Sequence, residues 1–281
     1  MTMTGNGAEA PSADSGGGGA GKDPEKPAAG RGRQGWPAPA LLLAVPILYG
    51  IGALCGMMAA WGTVAVLRAG GLIPQQMRLM DLLVGEGIET GIHGPYHFAL
   101  VGALFTANAL ATMALVMAIS RWTIAGGAAA ALPFARVPAR RLAALAILLP
   151  VLHGAGFFVV YRLTGQQIPA EVGFDILDWR MWAYPLGIVI LAPLSEEIVF
   201  RGWLFAGLME RLRSPLWTIV LTTAFWALVH TGQGFAKAAA LIPVGLALGL
   251  IRHHSGSLWP SIAGHMLMNA LGLAYMAWLA G

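Results

Sequence analysis

Charge is scarce in this sequence. Of 281 residues, 11% are Asp, Glu, Lys or Arg and 57% are hydrophobic, with a mean hydropathy of +0.68. A soluble domain carries about 25% charged residues. So little charge excludes an ordinary soluble globule and points to a polytopic membrane protein. Cysteine is nearly absent. Cys55 stands alone, which excludes an intrachain disulfide and any multi-cysteine metal site. The opening residues lack the apolar segment of a signal peptide. The chain is basic, with a net charge of +4 and a pI near 9.6. No basic cluster is interleaved with aromatics, so nucleic acid is not an expected partner. The excess reads as basic loops at a lipid bilayer.

The N-terminus is rich in Gly, Ala, Pro and Ser. Its charges balance, with Glu9, Asp14, Asp23 and Glu25 against Lys22, Lys26, Arg31 and Arg33. Such a composition builds no core, so residues 1–36 read as a disordered, solvated tail. Beyond it come apolar runs long enough to cross about 30 Å of hydrocarbon at 1.5 Å per residue. They cover residues 39–67, 96–120, 141–160, 181–209, 215–233, 236–251 and 258–280. The expected fold is therefore an all-α polytopic transmembrane helical bundle of about seven spans. Residues 122–135 are apolar but Gly/Ala-rich and broken by proline, and an eighth pass there stays open. Residues 171–180 read as an amphipathic surface segment, with Glu171, Asp175 and Asp178 on its polar side and Trp179 as an interfacial anchor. The chain divides into a tail (1–36), an N-terminal transmembrane region (37–180) and a C-terminal helical core (181–281).

Basic loops orient the bundle. With the N-terminus inside, the inner side holds Arg31, Arg33, Arg121, Arg136, Arg140, Arg141, Arg211, Arg213 and Arg252. The outer side holds Arg68, Arg78, Arg162, Arg180 and Lys237. The bias favours a cytoplasmic N-terminus.

The informative residues interrupt an apolar run. Glu196, Glu197 and Arg201 fall within the fourth span. A charge at the bilayer centre costs about 2.5–3.5 kcal/mol on insertion scales, so three of them need a reason. Glu197 and Arg201 are spaced i, i+4, share a helix face and are expected to pair. Glu196 points about 100° away and needs another partner. His230 and His265, in later spans, are the candidates. Trp226 stands one turn before His230 and could wall or orient it. Asn269 stands one turn after His265 on the same face. A depth estimate separates the histidines. His230 lies about 9 Å outward of its span's middle and His265 about 6 Å inward. Helix tilt and uncertain span ends still permit one site.

These residue types make a kit for amide hydrolysis without a Ser or Cys nucleophile. A glutamate out of bulk water can act as general base on a water, and a histidine opposite can share that water. A second histidine and an amide can donate to a developing oxyanion. Glu196, His230 and His265 also match the ligand set of a catalytic zinc, and both mechanisms fit the same residues. Other histidines read as structural. His153 has no acidic partner at helical spacing. His93 and His97 are separated by Gly94-Pro95, which disfavours one continuous helix, and His253 and His254 read as interfacial.

The order of motifs resembles the CPBP family, which comprises the type II CAAX prenyl endopeptidases, the bacterial Abi proteins and their bacteriocin-processing relatives. The family pattern is Glu-Glu-x-x-x-Arg, then Phe-x-x-x-His, then His-x-x-x-Asn. Here it reads Glu196-Glu197-Ile-Val-Phe-Arg201, Trp226-Ala-Leu-Val-His230 and His265-Met-Leu-Met-Asn269. Trp226 departs from the pattern by replacing phenylalanine. The resemblance covers about residues 181–275. It implies that Glu196 activates water with His230, that His265 and Asn269 form the oxyanion site, and that Glu197 and Arg201 brace it. Members are described both as metalloproteases and as metal-free glutamate proteases, so a divalent metal such as zinc, or none, stays open. The implied substrate is a peptide or membrane-anchored protein cut within the membrane. The Gly/Ala/Arg-rich composition looks bacterial, which places the chain in a cytoplasmic (inner) membrane and argues against prenylated substrates.

Two other readings remain. Buried Glu, His and Arg also relay protons in ion- or proton-coupled transporters, although no internal repeat is visible here. An inert scaffold or immunity protein of the same fold would be expected to lose Glu196, His230 or His265, and all are present.

Overall fold

Every long apolar run forms a helix. The computed structural model describes residues 35–84, 94–165 and 182–280. Residues 1–34, His93 and the 171–180 segment lie outside the described residues. The helices are α1 (Ala38–Ala69), α2 (Leu79–Val84), α3 (Gly94–Thr123), α4 (Gly127–Ala131), α5 (Ala139–Thr164), α6 (Ala183–Leu212), α7 (Pro215–Val229), α8 (Phe235–Ser255) and α9 (Trp259–Ala280). No strand occurs among the described residues. The protein is an all-α polytopic membrane bundle. Five helices, α1, α3, α5, α6 and α8, are long and apolar enough to cross a bilayer by length and composition.

The open question over residues 122–135 is answered by α4, which has only five residues. At about 1.5 Å per residue it cannot cross a membrane. The chain after it is tied to the start of α9 instead. Leu258 N–H donates to the Pro133 carbonyl at 2.8 Å, and the Ser257 hydroxyl donates to the Ala135 carbonyl at 2.8 Å.

Helix α6 is the centre of the bundle, in contact with α1, α3, α7, α8 and α9. Residues 197–205 along it are all buried. A helix buried on every side needs no polar face, which is why this run shows no amphipathic period. Between helices that lack a hydrophobic drive to associate in lipid, small residues permit close approach. At Gly102 of α3 an added Cβ would stand 2.3 Å from the Ala183 backbone, so α3 and the start of α6 can meet only with glycine there.

Helix α6 departs from regular geometry twice. π-helical turns cover Leu186–Leu191 and Ile198–Leu204, on either side of the regular segment Ala192–Glu197. Pro193 accounts for the first, because it has no N–H to donate and its ring collides with the carbonyl four residues earlier. Within that wide turn the Ala192 N–H reaches the Gly187 carbonyl. The next donor in the same register would be residue 193, the proline, so the Ile188 carbonyl has no helical partner. Asn269 of α9 supplies one, with Nδ2 donating to Ile188 O at 2.8 Å. A partly buried carbonyl that proline deprives of its donor is thus satisfied from a neighbouring helix.

Helix α7 has 15 residues and spans about 22 Å, short of the hydrocarbon thickness. It ends at His230. A single 3-10 turn, Thr231–Gln233, follows, and Gly234 turns the chain at φ 106°. A positive φ of that size suits glycine, which has no Cβ to clash.

Candidate active site

The short α7 removes the depth problem. Its C-terminal end brings His230 level with Glu196. Glu196 Oε2 lies 3.8 Å from His230 Nε2 and 3.9 Å from His265 Nε2. Three residues from α6, the end of α7 and α9 therefore meet at one oxygen. Both separations exceed hydrogen-bond length, so a water that bridges two of these atoms would sit beside the line joining them, about 2.8 Å from each.

The partners on the far side of each ring fix its tautomer. His230 Nδ1 is 2.8 Å from the Trp226 carbonyl, and His265 Nδ1 is 3.0 Å from Glu197 Oε1. A carbonyl or a carboxylate can only accept, so both Nδ1 atoms carry the proton. Each ring then turns its Nε2 toward Glu196. Glu197 orients His265 as the acid of a hydrolase triad orients its histidine.

Glu197 and Arg201 form the expected pair at 3.2 Å, with both side chains fully buried. Arg201 also donates from Nη2 to the Gly245 carbonyl at 3.2 Å and lies over the Trp226 ring at 4.8 Å. These contacts offset part of the cost of burying the ion, while its Nε keeps no hydrogen-bond partner. Gly245 allows that approach, since a Cβ there would stand 2.7 Å from Thr223 Cγ2 and 3.0 Å from Trp226 Cε3. Ser261, one turn before His265 on α9, lies beside Glu197.

Two features escape the sequence reading. The first is the indole of Trp226, whose Nε1–H donates to Glu196 Oε2 at 2.6 Å. A tryptophan at a motif position patterned as phenylalanine thus brings a donor that phenylalanine lacks, and holds the carboxylate facing the histidines. Its ring also packs edge-on to His230 and His265, with centroids 5.0 and 5.5 Å away. Trp226→Phe keeps the ring packing and removes only the bond. A hydrogen bond to a charged group contributes about 1.5–3 kcal/mol. We expect kcat for peptide cleavage to fall about tenfold or more, with KM little changed. An unchanged kcat would show that other contacts hold Glu196. The second feature is Arg252. Basic-loop counting puts it on the inner surface, but it is buried, donates from Nε to the Arg201 carbonyl at 2.9 Å and lies over the Phe205 ring at 5.2 Å. It backs the second π turn of α6.

Asn269 stands one turn beyond His265, with one amide hydrogen on Ile188 O and the second remaining. None of the other described histidines lines the cavity at Glu196 and His230. His153 of α5 packs on Phe157 with ring centroids 4.5 Å apart, His97 meets Phe98 near the start of α3, and His253 and His254 are exposed on the last turn of α8.

Glu196 and His230 open onto a cavity of about 120 Å³. At about 30 Å³ per molecule it has space for several waters. Helices α1 and α3 complete its wall through Tyr49, Phe105 and Asn108.

The donor set of two imidazoles and a carboxylate suits zinc in type but not in placement. Ligands of a tetrahedral zinc with bonds of about 2.1 Å stand about 3.4 Å apart. Here Oε2 is farther from both nitrogens and already accepts an indole N–H. No cluster of three or more His, Cys, Asp or Glu among the described residues is arranged to hold a metal ion.

Residues 178–271 match the family model of the type II CAAX prenyl endopeptidases, Rce1-like. The match supports the CPBP resemblance carried by the three motifs and contains every motif residue. An uncharacterised 24.3 kDa protein of Escherichia coli is 34% identical over 92 residues, which is 32% of this chain and 42% of that protein. The chain thus spans about two-fifths of the length of the curated relative it matches. No solved structure matches.

Proposed function

We propose that this chain is an intramembrane endopeptidase of the CPBP type, which hydrolyses a peptide bond with water activated by Glu196. The observation that carries this reading is one carboxylate oxygen faced by two imidazole Nε2 atoms inside a membrane bundle. A water beside them can lie about 3 Å from both Glu196 Oε2 and His230 Nε2. Glu196 takes a proton from that water as its oxygen attacks the carbonyl carbon. His230 Nε2 accepts the water's other hydrogen and aims its lone pair. Glu196 then delivers the proton to the departing amine. His265, fixed by Glu197, and the remaining amide hydrogen of Asn269 stand on the oxyanion side. Glu197 and Arg201 brace the site and Trp226 aims the base.

The substrate is a peptide or membrane-anchored protein whose cleavage site enters the bundle. An integral membrane setting follows from the apolar helices. We place the chain in a bacterial inner membrane with a cytoplasmic N-terminus, on its composition and loop charge.

The test uses the full chain purified into phosphatidylethanolamine/phosphatidylglycerol liposomes, with a randomised library of internally quenched peptides. Cleavage with new termini detected by mass spectrometry is the expected result. Proton or ion flux across the liposomes without any cleavage would favour the transporter reading instead.

A further inference from the structure

The oxyanion that forms during hydrolysis needs donors free to meet it. Among the motif residues, His265 commits Nδ1–H to Glu197 and Asn269 commits one amide hydrogen to Ile188. In the cavity wall, the Ser195 hydroxyl donates to the Ala192 carbonyl at 2.9 Å. The Tyr49 hydroxyl is different. It lies far upstream on α1, outside the residues that match the family model, yet it lines the same cavity as Glu196 and His230. The ring is partly exposed, but its hydroxyl oxygen is buried and has no hydrogen-bond partner.

An unpartnered buried hydroxyl costs about 1–3 kcal/mol. Thr218 and Thr223 of α7 also keep buried, unpartnered hydroxyls, but of the three only Tyr49 lines the cavity of Glu196 and His230. A phenol carries its proton at neutral pH and is a ready donor. The Tyr49 ring is held by stacking on Phe200, with centroids 5.8 Å apart and planes at 27°. Phe200 directly precedes Arg201 on α6, so the ring that aims the phenol is part of the segment that carries the charged site. Glu196, Glu197 and Arg201 are the charged groups that bear on it.

We propose that Tyr49 is a catalytic residue whose hydroxyl donates to the scissile carbonyl oxygen and to the oxyanion that replaces it. The inference rests on the endopeptidase reading. As the water oxygen bonds to the carbonyl carbon, the C=O π pair moves onto oxygen, where the Tyr49 O–H meets it. Collapse restores C=O, the C–N bond breaks, and the amine leaves with the proton carried by Glu196. A pre-aimed donor in a site shielded from water acts on the charge as it develops and contributes more than it would in solution. The N-terminal region then supplies part of the chemistry as well as the wall.

The experiment compares the wild type, Tyr49→Phe and Glu196→Gln as full chains in the same liposomes, on the best-cleaved quenched peptide from the library. Loss of one oxyanion donor lowers kcat by about 10²–10³-fold. The expected result for Tyr49→Phe is a fall of that order, with KM within about threefold and thermal stability equal or higher, because phenylalanine removes the unpartnered hydroxyl. A wild-type kcat in Tyr49→Phe, with Glu196→Gln inactive, overturns the role of Tyr49 and leaves the endopeptidase reading standing. A loss of kcat matched by a loss of thermal stability makes Tyr49 structural and also overturns it. Wild-type cleavage that does not depend on Glu196 overturns both.

Discussion

Replacing Glu196 with glutamine should abolish peptide hydrolysis and leave the bundle folded. Glutamine keeps the side-chain length and an oxygen to accept the Trp226 indole N–H, which now reaches Glu196 Oε2 at 2.6 Å. What it loses is basicity. A positioned general base contributes about 10²–10⁴-fold to rate, and here the same carboxylate also returns the proton to the leaving amine. We therefore expect a fall in kcat of at least about 10³-fold, with thermal unfolding in detergent near that of the wild type. The side chain is only partly buried, at 16% exposed, so its loss leaves no orphaned ion in the core. Retained activity would remove Glu196 from the chemistry and shift weight to a transporter or an inert scaffold.

The second large effect concerns stability. Arg201→Met should cost about 3–5 kcal/mol, because it leaves the fully buried Glu197 carboxylate without its cation. It also strips the Gly245 carbonyl of a donor. Folded proteins have only about 5–15 kcal/mol in hand, so the variant should express poorly and melt at a markedly lower temperature. Arg201→Met combined with Glu197→Gln should recover part of that loss, since the buried charge goes with its partner. Such a rescue is the signature of a pair that acts as a unit. A single Arg201→Met that is stable but inactive would instead assign the guanidinium to the reaction.

Much of the architecture could be read from residue type and spacing. Runs of apolar residues mark each long helix, and the i, i+4 relation of Glu197 and Arg201 marks their ion pair. The depth of His230 could not be read so. The polar run His230-Thr-Gly-Gln-Gly234 ends the apolar stretch, but the exact stop of α7 at His230 shows only in the 3-10 turn and the positive φ of Gly234. Helix length, rather than composition, sets the level at which two histidines meet one carboxylate. The brace from Asn269 was hidden for another reason. It answers a carbonyl whose donor Pro193 removes, and that vacancy exists only once the π turn over Leu186–Leu191 is known. Arg252 looked like a loop charge because its neighbours His253 and His254 are exposed, yet it turns inward. Tyr49 carries no motif. Only the packing of α1 against α6 brings it to the cavity.

Cleavage of membrane-associated peptides by Glu196 can be read directly in cells. Protein termini would be profiled by mass spectrometry in the membrane and secreted fractions of cells that differ only in carrying the wild type or Glu196→Gln at matched levels. A set of processed termini should appear with the wild type and vanish with Glu196→Gln, the uncut precursors accumulating in the membrane. Identical termini in the two cell lines, with both proteins stably expressed, would contradict cleavage by Glu196.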